Sequence, residues 1–217
     1  IPFLPVELFR THRVVTGSGT GQRVFESSGT TGASTSRHYV LDESVYLESL
    51  ESGFRRFFGP PSACCILALL PSYLERGNSS LVFMADRLIR LSGHPLSGFY
   101  LNNLDELTEA LARVEQAGQK TILLGVTFAL LDLAAARPMK LKHTLVVETG
   151  GMKGRREELT RMEVHRQLKE GFGIESVGSE YGMTELLSQA WSHRDGRFLT
   201  PPWMKVRIRD PYDPFRI

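Results

Sequence analysis

The sequence of 217 residues has little cysteine and no long apolar run. Its two cysteines, Cys64 and Cys65, are neighbours in the stretch "ACCILALLP". Neighbouring residues of a strand point to opposite faces, so a disulfide between these two is implausible. We interpret both as reduced core residues, which predicts a cytoplasmic protein. No apolar run approaches the roughly 20 residues of a membrane-spanning helix, so no membrane span is predicted.

The sequence also lacks the signatures of several functional classes. The net charge is only +2, from 26 Lys and Arg against 24 Asp and Glu, which is too weak to indicate a nucleic-acid partner. The Gly-x-Ser-x-Gly elbow of serine hydrolases does not occur. The six histidines are scattered, and no two of them have zinc-ligand spacing. His165 lies in a charged helical pattern and is predicted to be solvated.

Apolar stretches typical of buried strands alternate with stretches of helical periodicity. Strands are predicted in "RVV" (ending at Val15), "RVFES", "ACCILALLP", "SGFYLNN", "KTILLGV", "KHTLVVETGG", "IESVGSEYGMTE" and "PPWMKVRIRDP". Helices are predicted over residues 42–58 and in "SSLVFMADRLIRLSG", "LDELTEALARVEQAG", "TFALLDLAAARP" and "RREELTRMEVHRQLKEGFG". This alternation predicts an α/β fold with a mainly parallel sheet flanked by helices. We expect residues 1–217 to form one α/β domain.

Two of the helical patterns make specific predictions about burial. In the first, Asp42 is the predicted N-cap, and Val45 is one of the inner residues. In the charged last helix the predicted inner residues are Leu159, Met162, Val164 and Leu168.

Three loops rich in glycine or hydroxyl residues follow predicted strands. They are "SSGTTG" (27–32), "ETGGMKG" (148–154) and "SEYGMTE" (179–185). Ligands of open α/β sheets bind beyond the carboxyl ends of the strands. The three loops are therefore predicted to contribute to one site.

The composition of "SSGTTG" suits a phosphate group. Glycines let the chain form a concave nest of N–H groups, and the hydroxyls of serine and threonine add donors. The loop has neither the Gly-Lys-Ser/Thr ending of a Walker loop nor a dinucleotide fingerprint. A flexible polar hairpin loop is the alternative, and composition alone does not decide between the two.

The motif "YGMTE" combines an aromatic residue with an acid. Glu185, just after Thr184 at a strand exit, could hold Mg²⁺ together with substrate phosphates, and Tyr181 could stack on a base. The alternative is that Glu185 is the N-terminal acid of an ordinary helix in "TELLSQAW". Taken alone, the motif favours that alternative.

The three motifs, in this order, resemble those of the adenylate-forming superfamily, which includes acyl-CoA synthetases, peptide-synthetase adenylation domains and luciferases. Within it, "IPFLPVELFRTHRV", "GGMKGR" and "PPWMKVRIRDP" resemble the acyl-protein synthetase branch of fatty-acid reductase systems. The resemblance implies part of the large N-terminal domain and an ATP-dependent ligase that activates a carboxylic acid, expected to be a fatty acid, as acyl-adenylate for transfer to a protein thiol. It implies ATP and Mg²⁺ as cofactors, a small-molecule carboxylic acid as substrate, and an acyl-acceptor protein or reductase as partner.

The resemblance also assigns roles to the residues of the first two loops. The residues that match the loop around the ATP β- and γ-phosphates are Ser28, Gly29, Thr30, Thr31 and Gly32. The residues that match the glycine turn beside the adenine and the acyl site are Gly150 and Gly151.

In the third loop, Tyr181 matches the residue that stacks on adenine. Thr184 matches the residue that contacts the AMP phosphate, and Glu185 matches the Mg²⁺-binding acid, which makes these two the catalytic candidates. Gly182 and Met183 lie between them and are assigned to the nucleotide.

The sequence departs from the family pattern in two ways. The family loop usually ends in Pro-Lys, whereas this chain has Ser34 and Thr35, so Arg37 is the candidate replacement for the lysine. We also expect the ribose-binding aspartate, the acyl-carrying cysteine and the C-terminal domain with its catalytic lysine to lie outside these residues. The 217 residues alone are expected to turn over weakly or not at all. Two alternatives stay open: a CoA ligase of the phenylacetate type, and a non-catalytic nucleotide-binding fragment of the same fold.

Overall fold

A computed structural model describes residues 4–27, 35–71, 77–101, 103–150, 159–194, 196–208, 210 and 212–213. The helices in this part of the chain are α1 (Leu8–Thr11), α2 (Glu43–Phe58), α3 (Ser80–Ser92), α4 (Leu104–Gln116), α5 (Thr127–Ala136) and α6 (Arg161–Phe172). The strands are β1 (Arg23–Glu26), β2 (Arg37–Val40), β3 (Cys65–Leu69), β4 (Gly98–Phe99), β5 (Thr121–Val126), β6 (Thr144–Thr149), β7 (Gly178–Tyr181) and β8 (Ala190–Ser192).

The main sheet has six strands in the order β4-β3-β5-β6-β7-β8. Neighbouring strands from β4 to β7 run parallel, and β8 runs antiparallel to β7. Strands β1 and β2 form a separate antiparallel hairpin. The prediction of an α/β fold with a mainly parallel sheet flanked by helices is confirmed.

Local chemistry explains where the helices begin and end. Asp42 accepts a hydrogen bond from the backbone N–H of Ser44 at the start of α2, as predicted. Thr160 and Glu163 form a reciprocal capping box at the start of α6. Gly93 ends α3 at φ 62°, in the left-handed region that glycine adopts without strain.

The core is centred on the middle of the sheet. Every residue of β3 and β5 is buried, as expected for parallel strands covered on both faces. Cys64 and Cys65 are buried and unpaired, and burial raises the pKa of both thiols. The prediction that they are core residues is confirmed. Among the described helices, none has the length and apolar character needed to cross a bilayer.

Two predicted strands and one alternative helix are absent from their predicted places. Residues 13–15 and 201–208 form no strand. Instead, the Trp203 indole N–H lies 3.0 Å from the hydroxyl oxygens of both Ser49 and Ser188. This side chain, rather than backbone hydrogen bonds of a sheet, therefore fixes residues 201–208 beside α2. Thr184 and Glu185 lie in a turn that leads to β8, so Glu185 does not begin a helix.

Three predicted burial positions are also wrong. Val45 is 55% exposed and its neighbour Tyr46 is buried in its place. Met162 is 83% exposed, whereas His165, predicted to be solvated, is buried. The predicted inner residues Val164 and Leu168 of α6 are buried, so that part of the prediction is confirmed. The errors concern single positions, where the polar tips of Tyr46 and His165 find partners inside the protein.

Helices α5 and α6 pack closely at Gly171, and we expect Gly171→Ala to lower the free energy of unfolding by about 1–3 kcal/mol. The added Cβ would lie 2.7 Å from the Cβ of Ala134 and 3.0 Å from its carbonyl oxygen. Gly53→Ala in α2 is the matched control, because its Cβ would meet nothing closer than a Trp203 ring atom at 3.8 Å. That control should gain about 0.5–1 kcal/mol. Urea unfolding measures both, and changes of the same sign would contradict the packing described.

Candidate functional site

A cavity of about 480 Å³ opens at the carboxyl ends of β6 and β7. The described residues that line it come from the ends of β1, β6 and β7, from the start of α3, and from segments beside them: Glu26, Tyr46, Ser79, Ser80, Leu81, Met84, Glu148, Thr149, Gly150, Arg161, Glu180, Tyr181, Gly182, Met183, Thr184, Gln189 and Phe198. The cavity thus lies where an open parallel sheet usually binds its ligand.

Five of the residues assigned from the sequence line this cavity: Gly150, Tyr181, Gly182, Met183 and Thr184. Glu185 follows directly in the chain and is partly buried, but it is not among the lining residues. Gly151 and the loop residues Ser28, Gly29, Thr30, Thr31 and Gly32 lie outside the described residues. The functional roles of all these residues stay predictions.

The first residue of the "SSGTTG" loop, Ser27, is bonded to Ser36 next to the cavity. The backbone N–H of Ser27 donates to the carbonyl oxygen of Ser36 at 3.0 Å, and the N–H of Ser36 donates to the Ser27 hydroxyl at 2.9 Å. Glu26, just before the loop, lines the cavity, and Arg37, the first residue of β2, donates to a Glu26 carboxylate oxygen at 3.0 Å. The β1–β2 hairpin therefore begins the loop at Ser27 beside the rim.

His38 connects this hairpin to the third loop. Its Nδ1 lies 3.0 Å from the carbonyl oxygen of Thr184. Since the carbonyl can only accept, Nδ1 carries the proton in this contact. Phe9 of α1 packs edge-on against the His38 ring, with 5.4 Å between ring centroids. The backbone at Thr184 is therefore coupled to the strand that leaves the "SSGTTG" loop.

A carboxylate, Glu148, is buried in the wall of the cavity at the end of β6. Burial alone would raise its pKa, but polar contacts with His165, Ser179 and Thr127 outweigh burial, and the pKa is lowered below its ordinary value. The Thr127 hydroxyl donates to a Glu148 oxygen at 3.1 Å, and the Nε2 of His165 and the Nε of Arg161 each lie 3.7 Å from the other oxygen. Glu148 is thus held as an anion in the cavity wall.

The neighbouring acid, Glu180, has the opposite behaviour. Burial, opposed by a hydrogen bond from the Thr149 hydroxyl and assisted by the negative charge of Glu148, raises the pKa of Glu180 to about 7. Gly182 makes room for this carboxyl, since a Cβ at Gly182 would lie 2.6 Å from a Glu180 oxygen. The glycine of the third loop therefore has a local packing role next to an acid of unusual pKa.

The rim offers an aromatic surface and a helix N-terminus. Tyr181 is 43% exposed, and its ring packs edge-on against Phe198 with centroids 6.1 Å apart. Ser79 caps α3, and Ser80 and Leu81 of its first turn line the cavity. The first turn of a helix presents backbone N–H groups and a partial positive charge, which attract anions. A planar ring and a phosphate could therefore be bound within one cavity.

The oxygen donors near the cavity determine whether Mg²⁺ fits this site. The described residues contain no group of three or more acids, histidines or cysteines able to hold a metal. The carboxylate of Glu185 makes no hydrogen bond or ion pair within the described part of the chain. One free carboxylate near a phosphate site is the set that Mg²⁺ commonly uses, since it keeps waters and binds substrate phosphates. The residues therefore fit a substrate-borne Mg²⁺ and do not form a cage of their own.

The sequence interpretation missed a second set of site residues: Tyr46, Glu148, Arg161, His165, Glu180 and Gln189. Glu148 and Glu180 were within the quoted loops, and their position at the carboxyl ends of strands was the available signal. Tyr46 and Gln189 are far apart in sequence and meet through a 3.0 Å hydrogen bond, for which no local pattern exists.

The raised pKa of Glu180 predicts a pH dependence of stability. The unfolded chain releases this proton near its ordinary pKa of 4.5, whereas the folded chain keeps it until about pH 7. Wild-type stability should therefore fall as pH rises from about 4.5 to about 7. Glu180→Gln cannot titrate, so its free energy of unfolding relative to wild type should rise across that window and level off above it.

Urea unfolding at intervals from pH 5 to pH 8 measures this difference. Glu109→Gln, at an exposed position on α4, is the matched control for the loss of one carboxyl group. A constant difference for Glu180→Gln would show that the folded carboxyl titrates like one in the unfolded chain.

Comparison with known proteins supports the fold. No family model matches the sequence, and a search of curated proteins gives no match. A solved structure of a mutant form of coronafacic acid ligase from Pectobacterium brasiliense is similar, with a TM-score of 0.54 and 16% identity over 79% of this chain and 34% of that chain. Another structure of coronafacic acid ligase from the same organism gives a TM-score of 0.48 at 16% identity, over 70% of this chain and 29% of that chain. The chain thus spans about a third of the length of these ligases, and at this identity the likeness to the mutant structure shows a shared fold.

Proposed function

We propose that this chain is the nucleotide-binding part of an ATP-dependent ligase that activates a carboxylic acid as its acyl-adenylate. The observation that carries the proposal is the cavity at the ends of β6 and β7, which Gly150 and the segment from Tyr181 to Thr184 line together. These residues match the adenylate-forming motifs. The shared fold with a coronafacic acid ligase supports the same class of reaction.

In the proposed reaction, a carboxylate oxygen of the acid bonds to the α-phosphorus of ATP, and the bond from that phosphorus to the pyrophosphate oxygen breaks. The chain's residues would act by positioning and by neutralising charge. The Tyr181 ring would hold the adenine, and the Thr184 hydroxyl would contact the α-phosphate. The first turn of α3 would offer N–H groups to phosphate oxygens.

Mg²⁺, when bound, would neutralise phosphate charge, and Glu185 is the residue that would hold it. His38 would help to position Thr184 and Glu185, because its hydrogen bond to the Thr184 carbonyl fixes the backbone of this segment. The β1–β2 hairpin would then carry the loop residues from Ser28 to Gly32 to the β- and γ-phosphates.

The acyl acceptor is part of the same proposal. Motif resemblance favours an acyl-protein synthetase, which passes a fatty acyl group to a protein thiol and on to a reductase. A CoA ligase of the phenylacetate type has the same loops and would release a CoA thioester. Radiolabelled acid distinguishes the two, because label appears on a polypeptide in the first case and on CoA in the second.

A non-catalytic nucleotide-binding fragment is the second candidate, and the position of Arg37 favours it. Thr35 stands where the family has its phosphate-facing lysine. Arg37, the candidate replacement, is bound to Glu26 at 3.0 Å and does not line the cavity. A chain with nucleotide contacts but no free cation at that point would bind ATP and react slowly.

Removal of the Tyr181 ring is expected to weaken ATP binding by roughly 5- to 100-fold, since stacking a base on an aromatic ring contributes about 1–3 kcal/mol. Isothermal titration calorimetry with Mg²⁺ and a non-hydrolysable ATP analogue measures the affinity of wild type and Tyr181→Ala. Tyr212→Ala is the matched control, because Tyr212 is 96% exposed and lies outside the cavity lining. Absence of ATP binding by wild type, or equal losses in both variants, would refute the proposed site.

Acid-dependent exchange of labelled pyrophosphate into ATP then separates the ligase from the binding fragment. Exchange that Glu185→Gln lowers by about 100-fold or more, while Glu109→Gln leaves it unchanged, supports the ligase. ATP binding without any exchange supports the fragment.

A further inference from the structure

The inner wall of the cavity is unusually polar for a site expected to take a fatty acyl chain. Tyr46 and Gln189 are 1% and 7% exposed, and both line the cavity together with Glu180 and Thr149. The Gln189 side-chain amide donates to the Tyr46 hydroxyl at 3.0 Å. These side chains come from α2, from the end of β6 and from the β7–β8 region, so the fold brings hydrogen-bonding groups from separate elements to one wall.

We propose that the acid bound at this site carries a hydrogen-bond donor, a hydroxyl or an amino group, which binds to the carboxyl group of Glu180. The inference rests on the proposed function and names its substrate class. It differs from the fatty acid that motif resemblance implies.

Unused hydrogen-bonding capacity on this wall supports the proposal. One Glu180 oxygen accepts from the Thr149 hydroxyl, and the other has no donor in the described part of the chain. The Tyr46 hydroxyl accepts from Gln189, but its own proton has no acceptor among the described residues. A ligand with a hydroxyl or amino group can bond to this second oxygen of the partly buried Glu180 carboxyl, whereas an alkyl chain would cover the oxygen without offering it a donor.

The surroundings of Tyr46 hold this wall in place. Its ring lies 5.4 Å from Phe25 and 5.7 Å from Phe83, centroid to centroid, within a buried aromatic cluster. The hydroxyl is therefore the polar end of a side chain that packing fixes. A preorganised polar group of this kind discriminates between ligands more strongly than a flexible surface group does.

The alternation of side chains along β7 separates this wall from the predicted adenine position. Successive side chains of a strand point to opposite faces, so Glu180 and Tyr181 of β7 face different sides. Tyr181 is exposed at the rim, whereas Glu180 contacts Thr149 within the cavity. The acid's substituent and the adenine ring would accordingly occupy different parts of one cavity.

The remaining lining fits the carbon skeleton of such an acid. Leu81 and Met84 of α3 supply apolar surface on another side of the cavity. A short or medium carbon chain with one polar substituent would place its chain on these residues and its substituent on Glu180. The raised pKa of Glu180 is consistent with this role. A bound amine or hydroxyl would donate a hydrogen bond to the carboxyl group and so favour its charged form.

Calorimetric titration of matched acids tests the proposal. The probes are 3-aminobutanoate and 6-aminohexanoate, their hydroxy counterparts, butanoate and hexanoate, and tetradecanoate as the fatty acid. Each is titrated into the full chain with and without the non-hydrolysable ATP analogue. At least one amino or hydroxy acid should bind roughly 10- to 100-fold more tightly than the unsubstituted acid of the same length. Tetradecanoate binding as tightly as the best substituted acid, or no binding of any substituted acid, would overturn the proposal.

Two substitutions of Glu180 assign the preference to that residue. Glu180→Leu should lose the preference and bind hexanoate more tightly than wild type does. Glu180→Gln keeps the shape of the side chain without its charge, so it should weaken the binding of amino acids more than the binding of hydroxy acids. This variant remains informative if Glu180→Leu does not fold. Glu109→Gln is the control, and it should bind every acid with the same affinity as wild type. An unchanged preference in Glu180→Gln and Glu180→Leu would overturn the assignment, whereas failure of the ATP analogue to bind would refute the proposed function separately.

Discussion

The parallel pairing of β6 with β7 is the constraint on which the candidate site depends. Val147 pairs with Gly178, and Glu148 pairs with Ser179, so both strands end at the same edge and deliver Gly150 and Thr184 to one cavity. Only glycine fits at position 178, because a Cβ there would lie 2.9 Å from the Ser192 carbonyl oxygen and 3.2 Å from a Val147 methyl. A larger residue would push β7 away from β6 or β8 and separate the loops.

Two acids at the ends of these paired strands differ in the direction of their pKa shifts. Glu148 has polar contacts with His165, Ser179 and Thr127 and stays charged despite burial. Glu180 receives one from Thr149 and lies near the charge of Glu148, so its pKa is raised to about 7. The fixed anion lies 3.7 Å from nitrogen atoms of both Arg161 and His165. The acid with unused capacity faces the space where a ligand would bind.

Sequence patterns predicted the fold better than the site. Continuous apolar runs such as "KTILLGV" identified the buried strands, and the cap Asp42 identified a helix start, because these signals are local. The short strand β2 escaped prediction, since its residues are stabilised by pairing with β1 rather than by their own pattern. Contacts such as Gln189 to Tyr46 and His38 to Thr184 join residues more than 140 positions apart, and only the folded chain reveals them.

The central claim is that the ends of β6 and β7 surround a nucleotide, and a crystal structure of the chain with Mg²⁺ and a non-hydrolysable ATP analogue tests it most directly. The account predicts the adenine against the Tyr181 ring, the α-phosphate near the Thr184 hydroxyl, and the metal within reach of the Glu185 carboxylate. A nucleotide bound elsewhere, with the cavity between Gly150 and Thr184 left open, would contradict the account.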